Sequence, residues 1–384
     1  MLLEKTPAVI SAVKKNLSLA YKILKNWSSY ILGFPPPIPV GYVIIGTTFS
    51  CNAKCMMCDI HKFYGEMPDL FNKEIGLPMI FKRLEESKVI RAISHIDLTG
   101  GEPFLKKDLK DFIIELFRLP KINLITINTN GMLTNKITAD VSAILDTLNG
   151  EKRFSVSVSI DGIGELHDKI RGVAGAFTKV ENTIAVLKEL RDKYSNFIIC
   201  SNAVIQPENI DFLTQIKDYW KRHNIAGAFS VIQAPFYTHS TQSAYNCISR
   251  FSREDIQQIK AIGPKSKGMN YYLDNNFRRP LHCFAGYASM FIDPFGKVYP
   301  CNFLGGNDDY LMGTIKDSEI DTVWVSRSAS DSRFKVKGCP YTTCWNGCEV
   351  DQTMIQFEPV ERLTKAVSFG FLSYYKIKGL NGFK

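Results

Sequence analysis

From residue 41 the chain alternates between two hydrophobic rhythms. Short apolar runs bounded by turn residues fall at 41–48, 93–98, 122–128, 153–160, 197–204 and 227–232, and each reads as a buried strand. Between them, apolar residues recur every three or four positions over 73–88, 106–118, 136–147, 177–193 and 209–222, the period of a helix with one face in a core. Repeated strand-helix alternation predicts an α/β fold with a parallel sheet and helices packed outside it. Six strand units suit an open, partial (β/α)6 TIM-like barrel. In parallel barrels the functional side chains gather where the strands end.

The two ends of the chain have a different pattern. Val9, Val13, Leu17, Ala20, Tyr21, Leu24, Trp27 and Ile31 repeat at helical spacing, and Leu363, Val367, Phe371 and Tyr374 do the same near the C-terminus. Between the first helix and the barrel, Phe34-Pro35-Pro36-Pro37-Ile38-Pro39 can continue neither a helix nor a sheet interior, so it reads as a stiff extended linker. The division expected from these patterns is a basic amphipathic segment and linker over 1–40, a barrel over 41–245, a small cysteine-rich region over 246–358 and a basic amphipathic tail over 359–384.

Net charge adds to this picture only once it is located. The formal charge is +9, yet Lys5, Lys14, Lys15, Lys22 and Lys25 oppose only Glu4 in the first segment, and Arg362, Lys365, Lys376, Lys378 and Lys384 oppose only Glu361 in the last. The body is close to neutral, which removes the nucleic-acid partner that a basic composition would otherwise suggest. Lysines on one helix face with aliphatic and aromatic residues on the other leave two readings open. Either the ends make peripheral membrane contact, or they pack on the barrel with solvated lysines. Both stretches are too broken by lysine to span a bilayer.

The candidate chemistry lies in the ten cysteines. No secretory signal precedes them and most fall in metal-ligand spacings, so a reducing, cytoplasmic compartment is expected. Cys51, Cys55 and Cys58 follow the first strand in one short loop without an adjacent fourth cysteine. Three thiolates from one loop suit an iron-sulfur cluster with one iron left open, as a catalytic metal site requires. A zinc site or buried thiols are the plain alternatives. Cys283, Cys301, Cys339, Cys344 and Cys348 crowd a later region poor in long elements, which is expected to need metal to fold. A hairpin turning at Pro294 to Gly296 leads to Cys301, and a zinc ribbon is the main rival to a second cluster.

The C-x3-C-x2-C spacing resembles the signature of the radical S-adenosylmethionine (radical SAM) superfamily. The resemblance extends to Gly100-Gly101-Glu102-Pro103, Asn128-Thr129-Asn130-Gly131 and Ser159-Ile160-Asp161-Gly162, each closing an apolar run. One departure is Met57, where members often carry an aromatic residue. The later cysteines resemble a SPASM or Twitch extension, although a full SPASM region carries more than these five.

The resemblance implies a 4Fe-4S cluster on Cys51, Cys55 and Cys58 whose open iron binds S-adenosylmethionine, and reductive cleavage to a 5′-deoxyadenosyl radical that abstracts hydrogen from substrate. It also implies a flavodoxin- or ferredoxin-type electron donor. Gly100, Gly101 and Glu102 would receive the methionine amino group, Ser159 the ribose or carboxylate, and Asn202 the adenosine. Arg171 would clamp the carboxylate, or else be a surface helix charge. One auxiliary 4Fe-4S cluster is expected on Cys283, Cys301 and Cys348, completed by Cys344 or Cys339. Cys247, in a polar segment, is the candidate hydrogen donor, and Cys200, in an apolar strand, reads as core. The substrate is left open between a small polar molecule, a peptide or protein, and a lipid-linked molecule, with a non-catalytic electron carrier as the remaining class. Forty residues ahead of the barrel are too few for a separate leader-peptide-binding domain, which counts against the peptide.

Overall fold

The computed structural model describes residues 27–31, 42–90, 93–232, 251–262, 272–275, 283–287, 289–339 and 344. The elements follow the hydrophobic rhythm closely: β1 (Tyr42–Gly46), α1 (Leu77–Glu86), β2 (His95–Thr99), α2 (Leu109–Arg118), β3 (Leu124–Thr129), α3 (Thr134–Thr147), β4 (Arg153–Ser159), α4 (Glu165–Arg171), α5 (Ala176–Lys193), β5 (Phe197–Ile205), α6 (Leu213–Arg222) and β6 (Ala226–Val231). Beyond the barrel units come α7 (Arg253–Ile262), β7 (Ser289–Ile292), β8 (Lys297–Tyr299), β9 (Gly313–Thr314), α8 (Ile320–Val325) and α9 (Arg327–Lys337). The helix expected from residue 73 starts instead at Leu77, because Pro78 in its first turn fits a helix start and no interior position. The expected helix 209–222 opens as a 3-10 turn, Ile210–Phe212, before α6. Helix α4 has no counterpart among the expected elements.

The nine strands form one sheet in the order β6-β5-β4-β3-β2-β1-β7-β8-β9. Every pair from β6 to β7 is parallel, β8 and β9 add antiparallel, and the barrel is not closed. Alternation divides the strands into two faces. Ile96, Leu98, Ile125, Ile127, Phe154, Val156 and Val158 are buried in the main core with the helices. The opposite face carries His95, Asp97, Thr126, Asn128, Ser155, Ser157 and Cys200, in mutual register across β2 to β5. An apolar outside and a polar inside are what a barrel needs when its interior hosts polar chemistry rather than a packed core.

The C-terminal region is built into this sheet. Strand β7 pairs in parallel with β1, Ile45 opposite Ile292, so the later hairpin extends the barrel at the edge away from β6. The described end of the N-terminal segment also docks on this region. Tyr30 stacks on Phe284 with ring centroids 4.7 Å apart, and Trp27 meets the same ring edge-on at 5.2 Å. Ile31, expected on the apolar stripe, is instead 66% exposed. Residues 1–26, the Pro-rich linker and the C-terminal tail lie outside the described residues. Among those described, no helix is long and apolar enough to cross a membrane.

Candidate active site at the barrel rim

After β1 the chain runs through Thr47 to Ser50 into the cysteine loop, and the Gly100-Gly101 turn after β2 lies directly on this passage. Gly101 N donates to Thr48 O at 2.7 Å and Glu102 N to Ser50 O at 2.8 Å. A Cβ on Gly100 would stand 2.3 Å from Thr48 O, and one on Gly101 2.1 Å from Ser50 O, so only glycine permits this contact. On its other side the cysteine loop caps α4. Lys54 N and Met56 N donate to Arg171 O and Ile170 O, both at 2.9 Å, satisfying carbonyls that a helix end leaves open. Gly172 closes that helix at φ +64, where a Cβ would meet Lys54 O at 2.3 Å. Two buried carboxylates brace the assembly. Glu74 accepts from Thr48 Oγ1 at 2.7 Å and Phe49 N at 2.9 Å, pairs with Lys106 at 3.2 Å, and also accepts from Tyr64. Glu102 accepts from Phe104 N, Thr129 Oγ1 and Asn130 N at 3.1, 2.9 and 2.8 Å.

The loop thus presents Cys51, Cys55 and Cys58 on one wall of a cavity of about 280 Å³, with Thr99, Gly100, Gly101, Asn128, Ser159 and Arg171 around it. Burial pushes the free thiols up, Cys51 to about 11 and Cys58 to about 12, so thiolates in this cleft need compensating positive charge. Arg171 supplies part of it. It is buried, its Nη1 donates to Cys55 Sγ at 3.5 Å, and its Nη2 pairs with Asp161 at 2.5 Å. Asp161 is raised by burial against the pull of Arg171, and Val204 N donates to it at 2.7 Å. His167 nearby is driven down to about 3 by burial and then by Arg171. A cavity lined by three cysteines from one loop, Cys51 and Cys58 pushed up by burial, fits an iron-sulfur cluster, since bound metal stabilises the thiolate form.

Several expectations are corrected by this geometry. Arg171 is no surface helix charge, and its fork is already divided between Asp161 and a cysteine. The Glu102 carboxylate lies fully buried under the turn and is committed to three donors, so it does not face the cavity as an ammonium acceptor. Ser159 lines the cavity, whereas Asn202, its register partner on β5, is held off it by a 3.0 Å bond to Ser230 Oγ. Cys200 is not core. It is half-buried on the polar inner face, 3.1 Å from Ser155 Oγ. Cys247 lies outside the described residues. Asn130, which donates to Asn52 Oδ1 at 2.7 Å, and Asn128 belong to the cavity and were visible only as a turn motif. Glu74 carried no sequence signal, being one acid among several in a segment expected to be helical.

The second cysteine group assembles around the hairpin. Cys283 and Cys301 are buried in a small apolar cluster with Leu304, Tyr310 and Val336, and Cys339 packs against it. Cys344 is buried as well, and Cys348 lies outside the described residues. The turn expected from Pro294 to Gly296 is formed, with Asp293 accepting from Phe295 N and Lys297 N. Cys283, Cys301 and Cys339 thus share one small apolar cluster and carry thiols, the donor type of an iron-sulfur or zinc site, although among the described residues no three ligating side chains converge closely enough to hold an ion.

An open parallel barrel with a three-cysteine rim and a second cysteine centre defines a radical SAM enzyme with a SPASM-type C-terminal region. Residues 45–217 match the Radical SAM superfamily and residues 283–349 match an iron-sulfur cluster-binding domain, SPASM, and the chain belongs to this superfamily. The antilisterial bacteriocin subtilosin biosynthesis protein AlbA of Bacillus subtilis (strain 168) is 23% identical over 344 residues, covering 82% of this chain and 68% of AlbA. Among solved structures, anSMEcpe with bound AdoMet and Kp18Cys peptide superposes with TM-score 0.53 at 18% identity, over 85% of this chain and 99% of that one. SuiB of Streptococcus suis bound to precursor peptide SuiA gives TM-score 0.52 at 17% identity, over 83% and 71%. These superpositions establish the shared fold. The enzyme class carries with it a 4Fe-4S cluster, S-adenosylmethionine and SPASM iron-sulfur chemistry.

Proposed function

We propose that this enzyme modifies a peptide or protein substrate. The observation that carries this reading is the likeness to AlbA, which runs through 82% of the chain and is not confined to the radical SAM core. The fold shared with SuiB and anSMEcpe, each solved with a peptide bound, is consistent with it. The reading outweighs the argument from the short segment ahead of the barrel.

In this proposal Cys51, Cys55 and Cys58 hold the cluster, and the cluster with S-adenosylmethionine supplies, when bound, the one-electron chemistry that takes a hydrogen atom from substrate. The chain's own residues orient and shield. Gly100 and Gly101, which lack side chains so that their turn can pack on Thr48 O and Ser50 O, would leave bare backbone lining the cavity for the cofactor. Ser159 offers a hydroxyl to the same cavity. Arg171, locked to Asp161, keeps positive charge beside the cysteine loop through its contact with Cys55. Met57 and Ile60 give the cavity apolar walls that exclude water from a reactive intermediate. Cys283, Cys301 and Cys348, completed by Cys344 or Cys339, would supply one auxiliary cluster within the region over 246–358. A flavodoxin- or ferredoxin-type protein delivers the electron, and Cys247 remains a candidate hydrogen donor.

The test is anaerobic reconstitution with iron and sulfide, iron counting, and incubation with S-adenosylmethionine, dithionite and candidate precursor peptides. About eight irons per chain, deoxyadenosine formation and a mass change on a peptide support the reading. Deoxyadenosine formed without any peptide mass change, but with turnover of a small molecule, overturns the substrate class.

A further inference from the structure

A second cavity of about 490 Å³ opens beside the rim and shares no lining residue with the cysteine-lined one. Its walls belong to the scaffolds of both cysteine centres. Phe49 stands two residues before Cys51, Phe63 five after Cys58, and Tyr299 two before Cys301. The floor is aromatic: Phe49 meets Phe63 edge-on at 4.9 Å and Phe295 at 5.7 Å between ring centroids.

The charge around this floor is one-sided. Lys73, Lys297 and Lys316 line the cavity against the single carboxylate of Asp293. That carboxylate is buried and committed to the hairpin turn, accepting from Phe295 N at 2.9 Å and Lys297 N at 2.8 Å. Lys297 pairs with Asp308 at 3.1 Å. Lys73 and Lys316 are exposed and make no ion pair among the described residues. An apolar floor with uncompensated cations at its edge selects an occupant with a large apolar group flanked by anions.

We propose that this cavity docks an acidic segment of the peptide substrate, seating an apolar side chain against Phe49, Phe63 and Phe295 while neighbouring carboxylates meet Lys73 and Lys316. The proposal rests on the peptide reading given above. The segment so held lies outside the cysteine-lined cavity, so it positions the substrate without being the part that reacts. Because Phe49 and Phe63 flank the cysteine loop, occupancy bears directly on that loop's packing.

The test uses the full-length reconstituted holoprotein and fluorescence anisotropy of a labelled Glu-Glu-Phe-Glu-Glu peptide beside its Lys-Lys-Phe-Lys-Lys counterpart. The acidic peptide is expected to bind at least about tenfold tighter, and Lys73→Glu with Lys316→Glu to reverse the preference. Thr314→Trp, which fills the cavity from β9, is expected to abolish binding of the acidic peptide, and it decides the matter should the charge-reversed protein fail to fold. Equal binding of both peptides, or binding unaffected by these variants, overturns the proposal. So does decanoate or anionic-vesicle binding that the acidic peptide does not displace. A precursor peptide modified with an unchanged KM in Thr314→Trp defeats the docking site alone. Acidic-peptide binding without modification of any precursor defeats the proposed function alone.

Discussion

Arg171 and Asp161 form the buried ion pair beside the cysteine loop, and neither can be removed singly without cost. Arg171→Gln leaves Asp161 buried without its cation, a loss of roughly 3–5 kcal/mol, and it strips Cys55 of its nearest positive charge. The expected outcome is a lower melting temperature together with reduced iron loading, and Arg171→Lys restores charge but not the two-pronged geometry. Gly101→Ala acts by a different route. Its new Cβ would collide with Ser50 O, so the turn has to shift at about 1–3 kcal/mol, and calorimetric titration should show S-adenosylmethionine affinity falling by about tenfold. Asp97 gives a pH signature. Burial pushes its carboxyl up from 3.8 to about 7, against a 2.7 Å bond from Asn128. Between those values the folded chain binds more protons than the unfolded one, so this contribution to stability is present below the unfolded value and lost as pH rises through 7. Asp97→Asn removes that dependence. Urea unfolding should show the variant gaining on the wild type between about pH 5 and about pH 8, and a constant difference across that range would refute the assignment.

Among the elements, α4 carries more of the site than its seven residues suggest. Its last carbonyls receive the cysteine loop and its last residue is Arg171, so helix and loop place one another. Gly172→Ala forces a Cβ against Lys54 O at a left-handed backbone position and should lower the iron bound per chain far more than it lowers helix content by circular dichroism. Sequence periodicity passed over α4 because seven residues give barely two turns, and its glycines at both ends read as punctuation of a loop. The longer elements were legible because each repeats its apolar stripe several times, as in α5 and β5.

For the whole molecule, the pairing of β7 with β1 makes the C-terminal region part of the barrel's own sheet. A chain ending at residue 262 would leave the β1 edge, with Val43, Ile44 and Ile45, without its parallel neighbour. Unpaired apolar edges template aggregation, so that truncation should be found largely in the insoluble fraction, while a soluble, monomeric product would show the barrel to be self-sufficient. The aromatic contact of Trp27 and Tyr30 with Phe284 ties the N-terminal segment to the same region, which favours packing over membrane contact at that end of the stripe.

The sequence by itself determined the strand-helix alternation, the open barrel and the two cysteine groups, because period and ligand spacing are local properties that survive without a partner. Only the tertiary structure decided which polar groups face the chemistry. Glu102 sits in a motif that names it, whereas the sequence leaves Arg171 open between a carboxylate clamp and a surface helix charge. The atoms of both are directed by Asn130, Thr129, Asp161 and Cys55, contributed from elsewhere in the chain. Glu74 and the second cavity were invisible for the same reason. Each exists only where segments distant in sequence meet, and hydrogen bonds and aromatic contacts across such distances leave no periodic trace in the chain.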